Sequence, residues 1–528
     1  MSTPALSPSN LFSVLEKLNG IGAALSSEQD IDRLLESILV NTQEILRADG
    51  GTLYLCTDRN TLQFSIIHNK SLNIHLGGKT GNAIQFPDLP LAIDGVPNHN
   101  AIAAHCALAK KTINIKDAYL ETGFDFSGAK SFDAKMGYRT QSVLAIPLIN
   151  HQDKVLAVLQ LINAKNDAGE SVEFDDFHLK LAESLASQAS IAMQNRMLIN
   201  QLEELFEGLI NLINTAIDEK SPYTGGHCLR VPEVTLLLAE AAHNETDGPL
   251  KDFVLTDKDR YELKIASMLH DCGKITTPVH VVDKGTKLET IYDRIGLVEM
   301  RFEIMHRDLD LQAMADKQAR PQEAATIDAQ CAQAHQQLHD DLAFLKKSNI
   351  GGERMRPEDI DRVKAIAARQ WTDAQGNTRA LLTEDETTNL TIIAGTLTGP
   401  EREIINHHIV STINLLGQLP WPDHLLNVTE YAGGHHERMD GKGYPRGLKR
   451  EEMSVQARMM GIADIFEALT ASDRPYKKAM PLSQCLNIMA RMKDEQHIDP
   501  DLFDVFMKNR IYLSYAQKYL KPEQIDIT

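Results

Sequence analysis

The segment His435-His436-Glu437-Arg438-Met439-Asp440-Gly441-Lys442-Gly443-Tyr444-Pro445 sets two adjacent imidazoles beside two carboxylates and a glycine-rich, proline-ended turn. Imidazole nitrogens and carboxylate oxygens are the usual ligands of iron, manganese and zinc. Glycines let the backbone turn sharply beside a ligand. A second cluster, His270-Asp271-Cys272-Gly273-Lys274-Ile275, follows an apolar helical run that closes at residues 266–269. One aspartate carboxylate can bridge two cations while the neighbouring histidine caps one of them. The plainer alternatives are a polar helix end with a surface loop for the first segment and a solvated helix end for the second. Gly273-Lys274 and then Pro278 narrow the second.

These residues sit in a chain of 528 residues, which at roughly 150 residues per domain suggests about three units. With 43% hydrophobic and 24% charged residues, the composition is that of an ordinary globular protein. A formal net charge of -19 argues against a nucleic-acid polymer as partner, because a phosphate backbone selects basic surfaces. A small anionic substrate is still compatible, since a bound cation dominates the field of its pocket. The six cysteines (Cys56, Cys106, Cys228, Cys272, Cys331 and Cys485) form no CxxC pair, which fits reduced thiols in the cytosol. No basic segment followed by an apolar stretch opens the sequence, and no run approaches the ~20 apolar residues of a membrane span. A cytoplasmic protein without a membrane partner is expected.

The elements that must position the clusters follow from periodicity. Residues 31–46 carry apolar side chains at helical spacing. Residues 51–56, 63–68, 142–149 and 155–162 read as strands, and 174–195 returns to a helical period. Residues 11–195 are therefore expected to form an α+β domain. Over 196–219 the apolar positions Leu198, Leu202, Leu205, Leu209, Leu212 and Ala216 recur every three or four residues. This linker helix reads either as an amphipathic helix packed on its own domain or as the seam of a parallel dimer stalk. From residue 220 helices dominate. Residues 284–400 differ in texture, with helices expected at 288–316 and 324–347 and breakers at 349–352 and 373–377, and read as a helical insertion.

His270-Asp271 with Gly273-Lys274, followed much later by HHERMDGKGYP, resembles the HD-GYP subgroup of the HD phosphohydrolase superfamily. Further segments are similar: 221–231 (SPYTGGHCLRV), 401–416 (EREIINHHIVSTINLL), 457–476 (ARMMGIADIFEALTASDRPY) and His497-Ile498-Asp499-Pro500. The resemblance covers about 214–284 and 400–510. It implies an all-α HD-type catalytic domain over 220–528, with metal ligands His227, His270, Asp271, His408, His435, His436 and Asp464. His407 adjoins His408, and His306 is a further candidate if the insertion is placed differently. Tyr223 stands where some relatives hold a third metal with a carboxylate, so two divalent cations are implied, with iron or manganese favoured and zinc admitted. Two such cations would acidify a water and neutralise a phosphate oxygen. Asp271 would bridge them. Lys274 would meet the substrate phosphate as a point charge and Arg474 in bidentate fashion, although Arg474 also fits a structural ion pair. Glu437 and Asp440 are expected to orient ligating histidines rather than bind metal. Gly443, Tyr444 and Pro445 correspond to a loop implicated in contacts with signalling partners. The implied substrate is a cyclic dinucleotide, chiefly cyclic di-GMP opened to pGpG and on to GMP, with cyclic GMP-AMP as the alternative.

Residues 11–195 resemble a GAF domain through 137–148 (GYRTQSVLAIPL) and 155–165 (VLAVLQLINAK). Asn163, Lys165, Phe174 and Asp175 look like the signature of cyclic-nucleotide-binding GAF domains, which implies a small-molecule ligand. The same residues are also common structural choices, and a GAF domain used only for dimerisation fits equally. Three functions remain in competition: a GAF-regulated cyclic-dinucleotide phosphodiesterase acting as a homodimer, a non-catalytic module that binds the dinucleotide or a partner, and another HD hydrolase. The HHExxDGxGYP pattern argues against the last.

Overall fold

The computed structural model describes residues 8–528 apart from Gln29, residues 221–225, Glu353, residues 472–479 and Thr528. The chain forms two compact units, the first ending at Leu205 and the second beginning at Phe206.

In the first unit, helix Ile31–Ile45 starts where the Asp30 carboxylate accepts from Asp32 N (3.0 Å) and Arg33 N (3.2 Å), satisfying backbone donors that the first turn leaves open. Its Leu34, Leu35, Ile38 and Leu39 are buried at helical spacing. The main sheet runs Ile74–Gly77, Thr61–Asn69, Ala48–Cys56, Val155–Lys165, Val143–Ile149, Ile113–Ile115, with neighbours antiparallel. Successive side chains on a strand point to opposite faces. Leu53 and Leu159 accordingly join one apolar cluster with Leu39, Ile146 and Ala182, while Tyr54 and Val158 join another with Leu62, Phe126 and Val143. The strands expected at 51–56, 63–68, 142–149 and 155–162 are all present, and the two outer strands are additional. The expected closing helix and linker helix are one continuous helix, Asp176–Lys220, of 45 residues. No proline interrupts that stretch and Gly208 is its single glycine, so nothing in the backbone stops it.

The second unit is α-helical, as the sequence implies. Helices His227–His243, Asp257–Leu269, Val428–Gly433, Val455–Thr470, Pro500–Lys508 and Ile511–Tyr519 share a core that includes Val231, Leu238, Leu263, Val428, Met459, Phe466, Phe506 and Tyr515. The inserted segment has a core of its own, built on Leu288, Val298, Phe302, Leu338, Leu345, Val363 and Leu390. Its two long helices are Ile295–Ala319 and Ala324–Asn349. The first begins later than residue 288. The Glu289 carboxylate takes the N–H groups of Gly285 (2.8 Å) and Thr286 (3.1 Å), and Leu288 N donates to Asn349 Oδ1 (2.8 Å), so this backbone is committed elsewhere. A short hairpin, Gln370–Thr372 with Thr378–Ala380, occupies the breaker at 373–377, where Asp373 Oδ1 accepts from Gln375 N and Asn377 N. The insertion is tied to helix Gly399–Asn406 by buried Lys284, whose Nζ lies 2.7 and 2.8 Å from the Glu401 carboxylate oxygens and 2.8 Å from Asn389 Oδ1. A buried ammonium requires such partners. Among the described residues no helix is long and apolar enough to cross a membrane.

Candidate metal centre

Five local structures converge on one buried cluster. His227 opens helix His227–His243, after Gly226 at φ 82°. Helix Asp257–Leu269 begins with a reciprocal cap between Thr256 and Asp259 and delivers His270 and Asp271 at its far end. The tight turn Cys272–Thr276 then presses on helix His408–Leu416. A Cβ at Gly273 would meet His408 O at 2.0 Å and Thr412 N at 2.5 Å, so only glycine permits the approach. Gly273 N donates to Thr412 Oγ1 (2.9 Å), and that hydroxyl donates to His270 O (3.2 Å). Helix Val428–Gly433 leads into His435 and His436, and helix Val455–Thr470 carries Asp464.

Four imidazoles are held by their outer nitrogens. His270 Nδ1 donates to Ser267 O (2.7 Å), His435 Nδ1 to Ala432 O (2.7 Å) and His408 Nδ1 to Ile405 O, each three residues back. His227 Nδ1 bonds to Glu467 Oε2. Fixing the proton on Nδ1 leaves the Nε2 lone pairs of the three carbonyl-held rings turned to the common space. His227 Nε2 and His270 Nε2 lie 3.3 Å apart, as do His408 Nε2 and His436 Nε2. Asp271 stands between the two pairs, with Oδ2 3.3 Å from His227 Nε2 and Oδ1 3.3 Å from His408 Nε2. Asp464 Oδ1 is 3.2 Å from His227 Nε2 and 3.8 Å from His270 Nε2. His227, His270 and Asp271 form one group, and His408, His435 and His436 another, with ligand atoms in each within 4.8 Å of one another.

The donor set fits cations by a direct test. Asp271 Oδ1 and His435 Nε2 are buried with no hydrogen-bond partner. A buried carboxylate oxygen or ring nitrogen left in that state costs about 1–3 kcal/mol or more. Two cations would satisfy both atoms.

The charge distribution is uneven. Burial opposes protonation of His227, but Asp271, Asp464 and Glu467 overcome it and hold its pKa well above the ordinary value. For His270 burial is likewise outweighed, chiefly by Asp271, and its pKa rises to about 9. His435 is pushed well down by burial and by His436, and His436 is pushed down by burial to about 4. The Asp271 carboxyl stays well below the usual range despite burial, because Lys274 and His270 flank it. Lys274 Nζ lies 2.5 Å from Asp271 Oδ2, so its ammonium already sits at the edge of the cluster.

The cluster gathers His227, His270, Asp271, His408, His435, His436 and Asp464, with Lys274 beside them. His408 is buried and His407 exposed. His306 stands in the insertion against His335. Arg474 and Tyr223 lie outside the described residues. The expectation that Glu437 and Asp440 orient histidines needs correction. Glu437 accepts from Arg446 N (2.8 Å) and Leu448 N (2.9 Å), and Asp440 binds Arg438 (3.0 and 3.1 Å) and Lys442 N (3.0 Å). Both brace the glycine-rich loop, whose tight path demands it: a Cβ at Gly443 would meet Glu437 Cα at 2.4 Å. Tyr444, on the same loop, stacks on His436 at 4.8 Å between ring centroids, and its bond to Pro445 is cis. The carboxylate that does hold an imidazole is Glu467, which the sequence reading missed. It lies three residues beyond Asp464 on the same helix face, and that spacing was its signal.

The four residues of the GAF signature are committed to the first unit's own architecture. Asn163, at φ 54°, accepts from Gln141 N (2.7 Å) and donates to Tyr138 OH (2.9 Å) and Arg139 O (2.8 Å). Lys165 Nζ donates to Ser171 Oγ (3.1 Å), Phe174 is core, and Asp175 Oδ1 caps helix Asp176–Lys220 through Phe177 N (3.0 Å) and His178 N (2.9 Å). A cavity of about 520 Å³ opens elsewhere in this unit, against Tyr54, Phe64, His68, Phe126, Phe132 and Tyr138, and none of the four lines it.

The comparisons with known proteins divide the chain in the same way. The GAF domain family matches residues 30–193 and the HD domain family residues 383–502. The chain therefore contains an N-terminal GAF domain followed by a helical HD domain. A Vibrio cholerae 3′3′-cGAMP-specific phosphodiesterase is 45% identical over 82 residues, 16% of this chain and 19% of that protein. A Pseudomonas aeruginosa cyclic di-GMP phosphodiesterase is 38% identical over 114 residues, 22% of this chain and 26% of that protein. A cGMP-specific 3′,5′-cyclic phosphodiesterase of Drosophila melanogaster is 27% identical over 220 residues, 41% of this chain and 18% of that protein. The matches thus span 18 to 26% of these relatives' own lengths. Among solved structures, the GAF domain of an Acinetobacter phosphoenolpyruvate-protein phosphotransferase matches 38% of this chain and 99% of its own, at 15% identity and a TM-score of 0.26.

Proposed function

We propose that this chain is a metal-dependent phosphodiesterase of the HD-GYP type that opens cyclic di-GMP to pGpG and carries it on to GMP, under control of the GAF domain. The observation that supports this most is the Asp271 carboxylate, which belongs to one three-ligand group and reaches His408 of the other through its second oxygen. Bound there, two divalent cations, iron or manganese by the His-rich donor set, would acidify water and neutralise a phosphate oxygen. The protein's own part is to fix the ligands before substrate arrives. Backbone carbonyls set three imidazole tautomers, Glu467 sets the fourth ring, and Lys274 supplies a positive charge next to the phosphate position. Arg474 is placed by sequence to share that task. Cyclic GMP-AMP is the second reading for substrate, favoured by the Vibrio cholerae relative's specificity. A non-catalytic binding module is disfavoured, because each expected ligand position holds a competent side chain.

The test is incubation of protein loaded with Fe(II) or Mn(II) with each dinucleotide, with products resolved by chromatography and a His270→Ala/Asp271→Ala variant as blank. Turnover absent from the blank is expected. No turnover with metal demonstrably bound would overturn the enzymatic reading in favour of the binding module.

The partner proposed for the long helix is a second copy of this chain. Ile191, Leu198, Leu202, Leu205, Leu209 and Leu212 are all exposed, with steps of seven, four, three, four and three residues. Asn195 falls at the one polar seam position among them, a device that fixes the register of parallel coiled coils. Such a stripe is costly to leave in water and fits its own copy. Leu202→Glu/Leu209→Glu is expected to convert a dimer to a monomer by light scattering. An unchanged mass would remove the stalk reading.

A further inference from the structure

The insertion carries a second cluster of metal-ligating side chains, separate from the centre described above. His306 and Asp310 are one turn apart on helix Ile295–Ala319, and Cys331 and His335 are one turn apart on helix Ala324–Asn349. Residues four apart share a helix face, so each helix presents two donors at one level. The faces meet. His335 Nε2 is 2.9 Å from Asp310 Oδ1, and the rings of His306 and His335 stack with centroids 4.8 Å apart and planes inclined by 4°. The ligand atoms of Asp310, Cys331 and His335 all lie within 4.8 Å of one another. His306 touches His335 through its Nδ1 and stands beside this three-residue group as a neighbouring donor. The apolar core of the insertion, with Phe302 and Leu338, leaves these four side chains at the accessible edge of the helix pair, where Cys331, His306 and His335 are half-buried and Asp310 is exposed.

We propose that Asp310, Cys331 and His335, with His306, bind one Zn2+ ion. The donor set decides the metal. One thiolate, two imidazoles and a carboxylate match the N/S/O tetrahedral preference of zinc, whereas magnesium and calcium take oxygen ligands. A closed four-ligand site is structural rather than catalytic. Ligands from both helices make the ion a clamp across the hairpin whose turn is Pro321–Glu323. Because the donors are brought together only when the hairpin is folded, zinc stabilises the insertion by mass action. Loading releases the thiol proton of Cys331 to solvent as the thiolate–metal bond forms. The plainer alternative is that His335 and Asp310 are no more than a surface ion pair with two neighbours.

Cobalt titration of the full-length protein separates these. Co2+ bound to a thiolate gives a charge-transfer absorption in the near ultraviolet, and the catalytic centre proposed above uses no cysteine. The band is expected in the native protein, to be displaced by one equivalent of Zn2+, to survive Asp271→Asn and to be lost in Cys331→Ser. Asp310→Asn, a milder change at an exposed position, is expected to shift the band and weaken zinc retention. Absence of the band in the native protein overturns the proposal. So does a band that survives Cys331→Ser and disappears only on substitution of Cys228 or Cys272, since that places the thiolate elsewhere.

Discussion

Asp271→Asn is expected to lower turnover of the cyclic dinucleotide by about a thousandfold or more while the helical fold persists. Asparagine keeps the side chain's shape, so the packing of the turn Cys272–Thr276 on helix His408–Leu416 is not disturbed. What changes is chemical. Asp271 presents one oxygen to His227 and the other to His408, and its carboxyl is held ionised, against burial, by Lys274 and His270. An amide offers one neutral oxygen and an NH2 group that cannot ligate a cation. The two metal groups lose their shared negative ligand, and the ammonium of Lys274 loses the oxygen 2.5 Å away. Metal-derived stabilisation of a phosphoryl transition state is worth several kcal/mol, and about 4 kcal/mol corresponds to about a thousandfold in rate. The measurement is kcat alongside metal content by elemental analysis, with circular dichroism to verify the fold. Wild-type turnover in this variant would remove Asp271 from the bridging role.

What the sequence made legible was the chemistry that sits in contiguous or evenly spaced residues. His270-Asp271 directly follows the apolar helical run that ends at Leu269, so local pattern placed it at a helix end, and His435-His436 follows helix Val428–Gly433 after Gly434. The strands at 143–149 and 155–165 were readable because β-branched and aliphatic residues run on either side of the turn-forming Asn150 and Asp153. Three things were not readable, each for a physical reason. The continuity of helix Asp176–Lys220 is hidden because its apolar residues pass from a core-packing face, which ends at Ala192 and Met193, to an exposed stripe on another face that begins at Ile191, without any backbone breaker. The roles of Glu437 and Asp440 were misassigned because proximity in sequence to histidines says nothing of where a carboxylate turns. Both point back to loop backbone and Arg438. Asn163, Lys165, Phe174 and Asp175 match a signature whose residues here satisfy a left-handed backbone position, a hydroxyl, a core site and a helix cap. Those uses would select the same residue types with no ligand present.

Glu467→Gln is expected to weaken metal binding by about 10–100-fold with a smaller change in kcat at saturating metal. Glu467 is fully buried, and its two oxygens are divided between His227 Nδ1 and Arg230 Nε, the latter at 2.6 Å. Burial alone would raise its pKa, yet His227 and Arg230 bring it down to about 2, so it stays a carboxylate throughout the physiological range. The negative charge makes His227 a better donor at Nε2 and fixes the plane of its ring toward Asp271 and Asp464. Glutamine retains the volume but carries no charge. Its amide can accept from only one of the two donors, and its NH2 group opposes the other. The ring of His227 then loses orientation and basicity together, and the group formed with His270 and Asp271 suffers more than the group around His408. A titration of activity against metal concentration reads this directly. The midpoint should move to higher metal, and excess metal should restore most of the rate. Asp271→Asn, by contrast, should not be rescued by excess metal, because there the missing atom is a ligand. If Glu467→Gln also resists rescue, Glu467 acts on the reaction rather than through His227.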